Sequence, residues 1–154
     1  MNNFPILSLL TFLPILGMVI VLLLPKKQEL SIKVTTLIVT AIQIVLSIIL
    51  LMNFNYAAGG INDASSFQFI EKFRWIDIPG FAWIGKIKID YFLGVDGLST
   101  PLVLLTAIVT FIAALSSWTI DKSVKGYFAM FLLLNTGMMG VFVALDFFLF
   151  YIFW

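Results

Sequence analysis

The chain has 154 residues, of which 62% are hydrophobic and 11% charged, with a formal net charge of +1. A soluble domain carries about 25% charged residues, and a nucleic-acid binder shows a basic footprint that is absent here. Cysteine and histidine are both missing, which excludes disulfides, thiolate chemistry, the usual zinc sites and a histidine base.

The first element is an uncharged run over 6–24, closed by Pro25, Lys26 and Lys27. A secretory signal would carry its positive charge before the apolar stretch; here it follows, so the run reads as an uncleaved spanning helix with its N-terminus outside. Pro14 interrupts this helix, and a neighbouring helix is expected to satisfy the carbonyl it frees. A second uncharged run covers 34–52. Its Ile, Val and Thr content favours a strand, but its length and the need to close backbone bonds within lipid favour a helix. Near its middle Gln43 bonds a neighbouring helix or lines a hydrated path, the first being commoner.

Residues 53–97 form a polar loop holding most of the charged side chains. Within it, 73–78 is a strand candidate, Pro79-Gly80 a turn, and Ile87, Ile89 and Tyr91 alternate with Lys86, Lys88 and Asp90. The pattern predicts a β-hairpin, too small to be stable alone, that docks on its own helices or on a neighbouring subunit. Trp75, Phe81 and Trp83 offer apolar surface, and Trp75, Trp83, Ile87, Ile89 and Tyr91 are the interface candidates.

A third spanning helix covers 98–120, with Ser99 or Thr100 as its cap and Pro101 in its first turn. Trp118, Asp121, Lys122 and Lys125 mark where it meets water. A fourth covers 127–145 with Asn135, Thr136, Gly137 and Gly140 inside it, a composition suited to close helix approach or, less simply, to a proton path. Residues 147–154 are apolar and too few to span, and read as the start of a fifth helix in a longer protein. The fold class is therefore an all-α polytopic membrane protein, in one membrane domain, with an external hairpin. Lys26, Lys27, Lys33, Lys122 and Lys125 fall in the first and third loops and predict that these loops are cytoplasmic.

Three motifs, GVDGLS at 94–99, SSW at 116–118 and ALDFFLFYIFW at 144–154, resemble the antiporter-like subunit 4 (chain M) family of proton-pumping NADH:quinone oxidoreductase, respiratory complex I. Relatives often carry histidine where this chain has Phe92. The resemblance implies further spanning helices in two inverted repeats with broken helices that form proton half-channels. It also implies a hairpin that locks neighbouring antiporter-like subunits together, and a glutamate directly after the segment ending at Trp154. A carboxylate nine residues after Asp146 would lie about 13 Å along the helix, near mid-membrane, where an ionisable group is a functional candidate by default. NADH, FMN, iron–sulfur clusters and quinone are implied in partner subunits, with none on this chain. The implied setting is a bacterial plasma membrane.

Within the chain, Asp146, Asp96 and Asn135 are the proton-path candidates, each with a structural alternative: caps for the two carboxylates and helix packing for the amide. Rival readings are a cation/proton antiporter or membrane hydrogenase subunit of the same superfamily, or a membrane scaffold that moves no protons.

Overall fold

The structure, a computed structural model, describes residues 5–58, 66–78 and 87–154. Four helices, α1 (Ile6–Leu23), α2 (Glu29–Met52), α3 (Ser99–Ser116) and α4 (Val124–Val143), are each long and apolar enough to cross a membrane. A short α5 (Phe147–Phe153) follows α4. Between α2 and α3 stand two antiparallel strands, β1 (Gln68–Ile78) and β2 (Ile87–Val95).

The bundle buries polar side chains beside an apolar core that includes Leu7, Leu10, Ile32, Leu132 and Met139. Its buried positions include Thr11, Thr36, Thr40, Gln43, Thr110 and Asn135, while Leu16, Ile20, Ile38 and Val109 face outward. Lipid provides no drive to hide Leu or Ile, so small and hydroxylic residues that let backbones approach share the contacts with the apolar core. The threonines return their hydroxyls to their own helix: Thr11 to the Leu7 carbonyl at 2.8 Å, Thr36 to Ile32 at 3.1 Å and Thr110 to Thr106 at 2.8 Å. That leaves their methyl groups for the neighbour. Around this scaffold α1 packs on α2 and α4, and α2 on α3. α1, α2 and α4 converge at Gly17, where a Cβ would stand 2.7 Å from Val39 and 3.3 Å from Leu132.

Two helices start earlier than their uncharged runs. α2 begins at Glu29 instead of residue 34, because an acidic residue in a first turn is favoured by the helix dipole. It includes Lys33, 8% exposed, whose Nζ lies 2.8 Å from the Trp118 carbonyl at the end of α3 and 3.7 Å from Asp121. α4 begins at Val124 instead of Tyr127, and Lys125 donates to the Leu24 carbonyl at 2.9 Å. Each of these lysines thus neutralises the C-terminal end of another helix. α3 also has a different cap from the expected Ser99 or Thr100. Asp96 Oδ1 accepts from Leu98 N at 3.2 Å and Ser99 N at 2.7 Å, while the Asp96 N–H donates to Ser99 Oγ at 2.8 Å. The reciprocity is that of a capping box, and Thr100 instead donates to the Asp96 carbonyl at 2.8 Å.

β1 begins at Gln68 rather than residue 73, and it contains two bulges. Gln68 pairs with Val95 and Glu71 with Leu93, so one extra residue is inserted, with Phe69 in the left-handed conformation at φ 55°. Gln68 and Glu71 would lie on opposite faces of a regular strand; the bulge brings both onto the face of the fully buried Val95 and Leu93. The second bulge places Trp75 between Arg74, opposite Asp90, and Ile76, opposite Ile89. On the outer face Lys72 pairs with Asp90 at 3.2 Å and lies 5.0 Å over the Phe92 ring.

Candidate functional site

The hairpin is fastened to α1 through Glu71. Its carboxylate accepts from the N–H groups of Leu7 at 2.8 Å and Ser8 at 3.1 Å, two donors that a helix start leaves without intrahelical partners. The Ser8 hydroxyl also donates to Glu71, so it accepts from the Tyr91 hydroxyl 2.6 Å away. Burial pushes the Tyr91 phenol above the usual tyrosine range; the Ser8 contact pulls it partly back and the Glu71 charge adds to the rise. Phe12 stacks on the Tyr91 ring at 6.4 Å and meets Phe153 of α5 at 6.3 Å, linking hairpin, α1 and α5. Nothing in the sequence singled out Glu71, because its partners lie 63 and 64 positions away.

Of the expected interface residues, Ile89 is buried and Tyr91 is bonded to Ser8, so both face this chain's own helices. Trp75 is 52% exposed, beside exposed Phe73. Trp83, Phe81 and the Pro79-Gly80 turn lie outside the described residues, and Ile87 is described by its backbone pairing with Ile78.

Inside the bundle Gln43 and Asn135 meet. Asn135 Nδ2 donates to Gln43 Oε1 at 2.6 Å, and Gln43 Nε2 donates to the Leu10 carbonyl at 3.1 Å. Leu10 is four residues before Pro14, which has no N–H to offer it. The carbonyl fixes the amide orientations, since it must meet an NH₂, which turns Oε1 toward Asn135. Gln43 thus takes the helix-bonding alternative. Among the described residues, Asn135 Oδ1 and Ser47 Oγ are buried without a partner.

Asn135 looks away from α5, which sits on the other side of α4. A Cβ on Gly137 would lie 2.9 Å from the Phe153 carbonyl, and one on Gly140 would lie 2.2 Å from the Phe153 ring. The chain reaches that seat through an extended link: Leu145 N donates to the Phe92 carbonyl at 2.9 Å, and Ala144 forms a bridge with Leu93. Asp146 then caps α5, accepting from Phe148 N at 2.9 Å and Leu149 N at 3.1 Å. The three candidates are therefore not gathered into one site. Asp96 and Asp146 each stand at a helix start, while Asn135 belongs to the Pro14 repair. Among the described residues, no three acidic side chains come together as a metal site.

A family profile described as NADH-ubiquinone oxidoreductase chain 4, amino terminus, matches residues 73–145. NAD(P)H-quinone oxidoreductase chain 4 of the Chara vulgaris chloroplast is 36% identical over 155 residues, covering 100% of this chain and 29% of that protein. The chloroplast protein of Chaetosphaeridium globosum is 33% identical, covering 99% of this chain and 28% of that protein. The cyanobacterial NAD(P)H-quinone oxidoreductase chain 4 3 of Picosynechococcus is 34% identical, with corresponding shares of 99% and 25%. The chain thus spans little more than a quarter of the length of the relatives it matches. With four spans, a hairpin between the second and third, and similarity along its whole length, the chain is similar to the amino-terminal part of NADH-quinone oxidoreductase chain 4 proteins.

Proposed function

We propose that the full-length protein is a membrane-arm subunit of a proton-translocating NADH:quinone oxidoreductase, and that this chain is its entry scaffold. The observation that carries the reading is whole-length similarity to chain 4 proteins, joined to four spans. NADH, FMN, iron–sulfur clusters and quinone belong, on this reading, to partner subunits, and neighbouring antiporter-like subunits meet the exposed side of the hairpin at Trp75. The N-terminus and hairpin lie outside, and the ends bearing Lys26, Lys27, Lys33, Lys122 and Lys125 lie in the cytoplasm of a bacterium. Relatives from chloroplasts and a cyanobacterium support an energy-transducing membrane.

The role of this segment is positional. It seats α5 against Gly137 and Gly140 and fixes the turn before it through Asp146, so that a carboxylate further along that helix would be held at a defined depth. The test uses inverted membrane vesicles with and without the full-length subunit. Quinone-dependent NADH oxidation that acidifies the lumen only when the subunit is present supports the reading. Sodium-driven collapse of a pH gradient without NADH would replace it with an antiporter, and unchanged acidification without the subunit would leave a scaffold.

A further inference from the structure

The lysine-bearing end of the bundle contains a cavity of about 550 Å³ between the last turn of α1, the start of α2 and the α3–α4 turn. Lys26, Glu29, Asp121 and Lys125 line it, with Leu22 and Val124 as apolar wall. Two of these charges are already engaged: Lys125 holds the Leu24 carbonyl at 2.9 Å, and Asp121 is 3.7 Å from Lys33. Lys26 and Glu29 differ. Among the described residues neither side chain makes an ion pair or hydrogen bond, although both face the same space. Opposite charges that share a cavity without meeting leave room for a ligand carrying both signs.

The depth of the cavity says what kind of ligand. α1 has 18 residues, about 27 Å of helix against a hydrocarbon core of about 30 Å. Leu23, at its last turn, is 78% exposed where acyl chains lie. Lys26 and Glu29 therefore stand at headgroup level. The start of α4 adds donors, because Ser123 at φ 51° gives it no side-chain cap and a Cβ on Gly126 would meet nothing within 4 Å.

We propose that this cavity holds the headgroup of a zwitterionic phospholipid with a primary ammonium, of the phosphatidylethanolamine class. The phosphate is met by Lys26 and the first N–H groups of α4, the ammonium by Glu29, and the first acyl carbons by Leu22 and Val124. A choline headgroup has no N–H for Glu29, and a glycerol headgroup has no cation.

The test takes full-length protein, purified in mild detergent and returned to nanodiscs containing ethanolamine, choline or glycerol phospholipids, and counts retained lipid by native mass spectrometry. Lys26→Ala and Glu29→Ala should each lower ethanolamine-lipid occupancy about fivefold, the equivalent of one interfacial charge. Lys27→Ala, next to the cavity but not lining it, should change nothing. All three positions are exposed, and circular dichroism checks that the helices persist. Equal retention in wild type and both variants would overturn the site. So would a loss of glycerol lipid with Lys26→Ala that Glu29→Ala does not share, which marks a merely anionic site. Competition by soluble phosphoethanolamine as effective as that by the lipid would assign the cavity to a free phosphate compound instead.

Discussion

Gln43 supplies Leu10 with the hydrogen bond that Pro14 withholds: the amide donates to that carbonyl at 3.1 Å from a helix more than thirty positions away in sequence. An unpaired carbonyl in lipid has no water to turn to, so the proline in α1 and the glutamine in α2 form one unit.

That unit predicts non-additive mutations. Gln43→Leu should destabilise the bundle by about 1–2 kcal/mol, since it strands both the Leu10 carbonyl and the Asn135 NH₂. Pro14→Ala restores the internal bond of α1, and in that background Gln43→Leu should cost markedly less. Denaturation of the four variants in detergent micelles measures the coupling. Additive costs would show that Gln43 serves α1 in some other way.

Gly140→Ala places a methyl group inside the Phe153 ring, whose nearest atom is 2.2 Å from the position of its Cβ. Because α4 is fixed on its other side by α1, α5 has to move. A loss of about 1–3 kcal/mol is expected, as for other overpacked contacts, with partial rescue by Phe153→Ala. A cysteine cross-link between α4 and α5 that forms with unchanged yield in Gly140→Ala would contradict this seat.

Glu71→Ala should release the hairpin from α1 at a cost of about 1–2 kcal/mol, the range for losing a helix cap. Hydrogen exchange at the Leu7 and Ser8 amides reads it directly. Glu71→Gln keeps one acceptor oxygen and should lose less protection than Glu71→Ala.

Tyr91 predicts an alkaline limit. Its phenol is raised in the folded protein by burial first, so the folded form holds the proton more tightly than the unfolded one. The stabilisation is complete below the ordinary tyrosine range and is lost as pH rises through the raised value. Ultraviolet titration should therefore show one tyrosinate forming late, together with loss of Leu7 and Ser8 protection. Tyr91→Phe should remove that late step.

Asp146→Asn keeps an oxygen for Phe148 N and Leu149 N, whereas Asp146→Ala removes it. If the full-length protein translocates protons as proposed and the side chain serves as a cap, the Asn variant should pump at close to the wild-type rate, with the Ala variant less stable by about 1 kcal/mol. A large loss of proton transfer in Asp146→Asn, at unchanged thermal stability, would make Asp146 part of the proton path.

The sequence by itself determined the spans, their order and the hairpin, because both signals are local. An uncharged run long enough to cross lipid has helix as its workable state, and the alternation at Ile87, Ile89 and Tyr91 continues through Leu93 and Val95 into β2. Helix starts were less legible: Glu29 and Lys33 looked like loop charges because their compensation comes from the helix dipole and from Trp118 in the turn that follows α3. Only the tertiary structure decided which polar side chains meet. Glu71 finds Ser8 because a bulge at Phe69 turns it inward, and Gln43 finds Leu10 because α1 and α2 pack at the level where Pro14 opens the ladder. Such pairings join residues remote in sequence, and what fixes them is the need to satisfy buried donors and acceptors where water is absent.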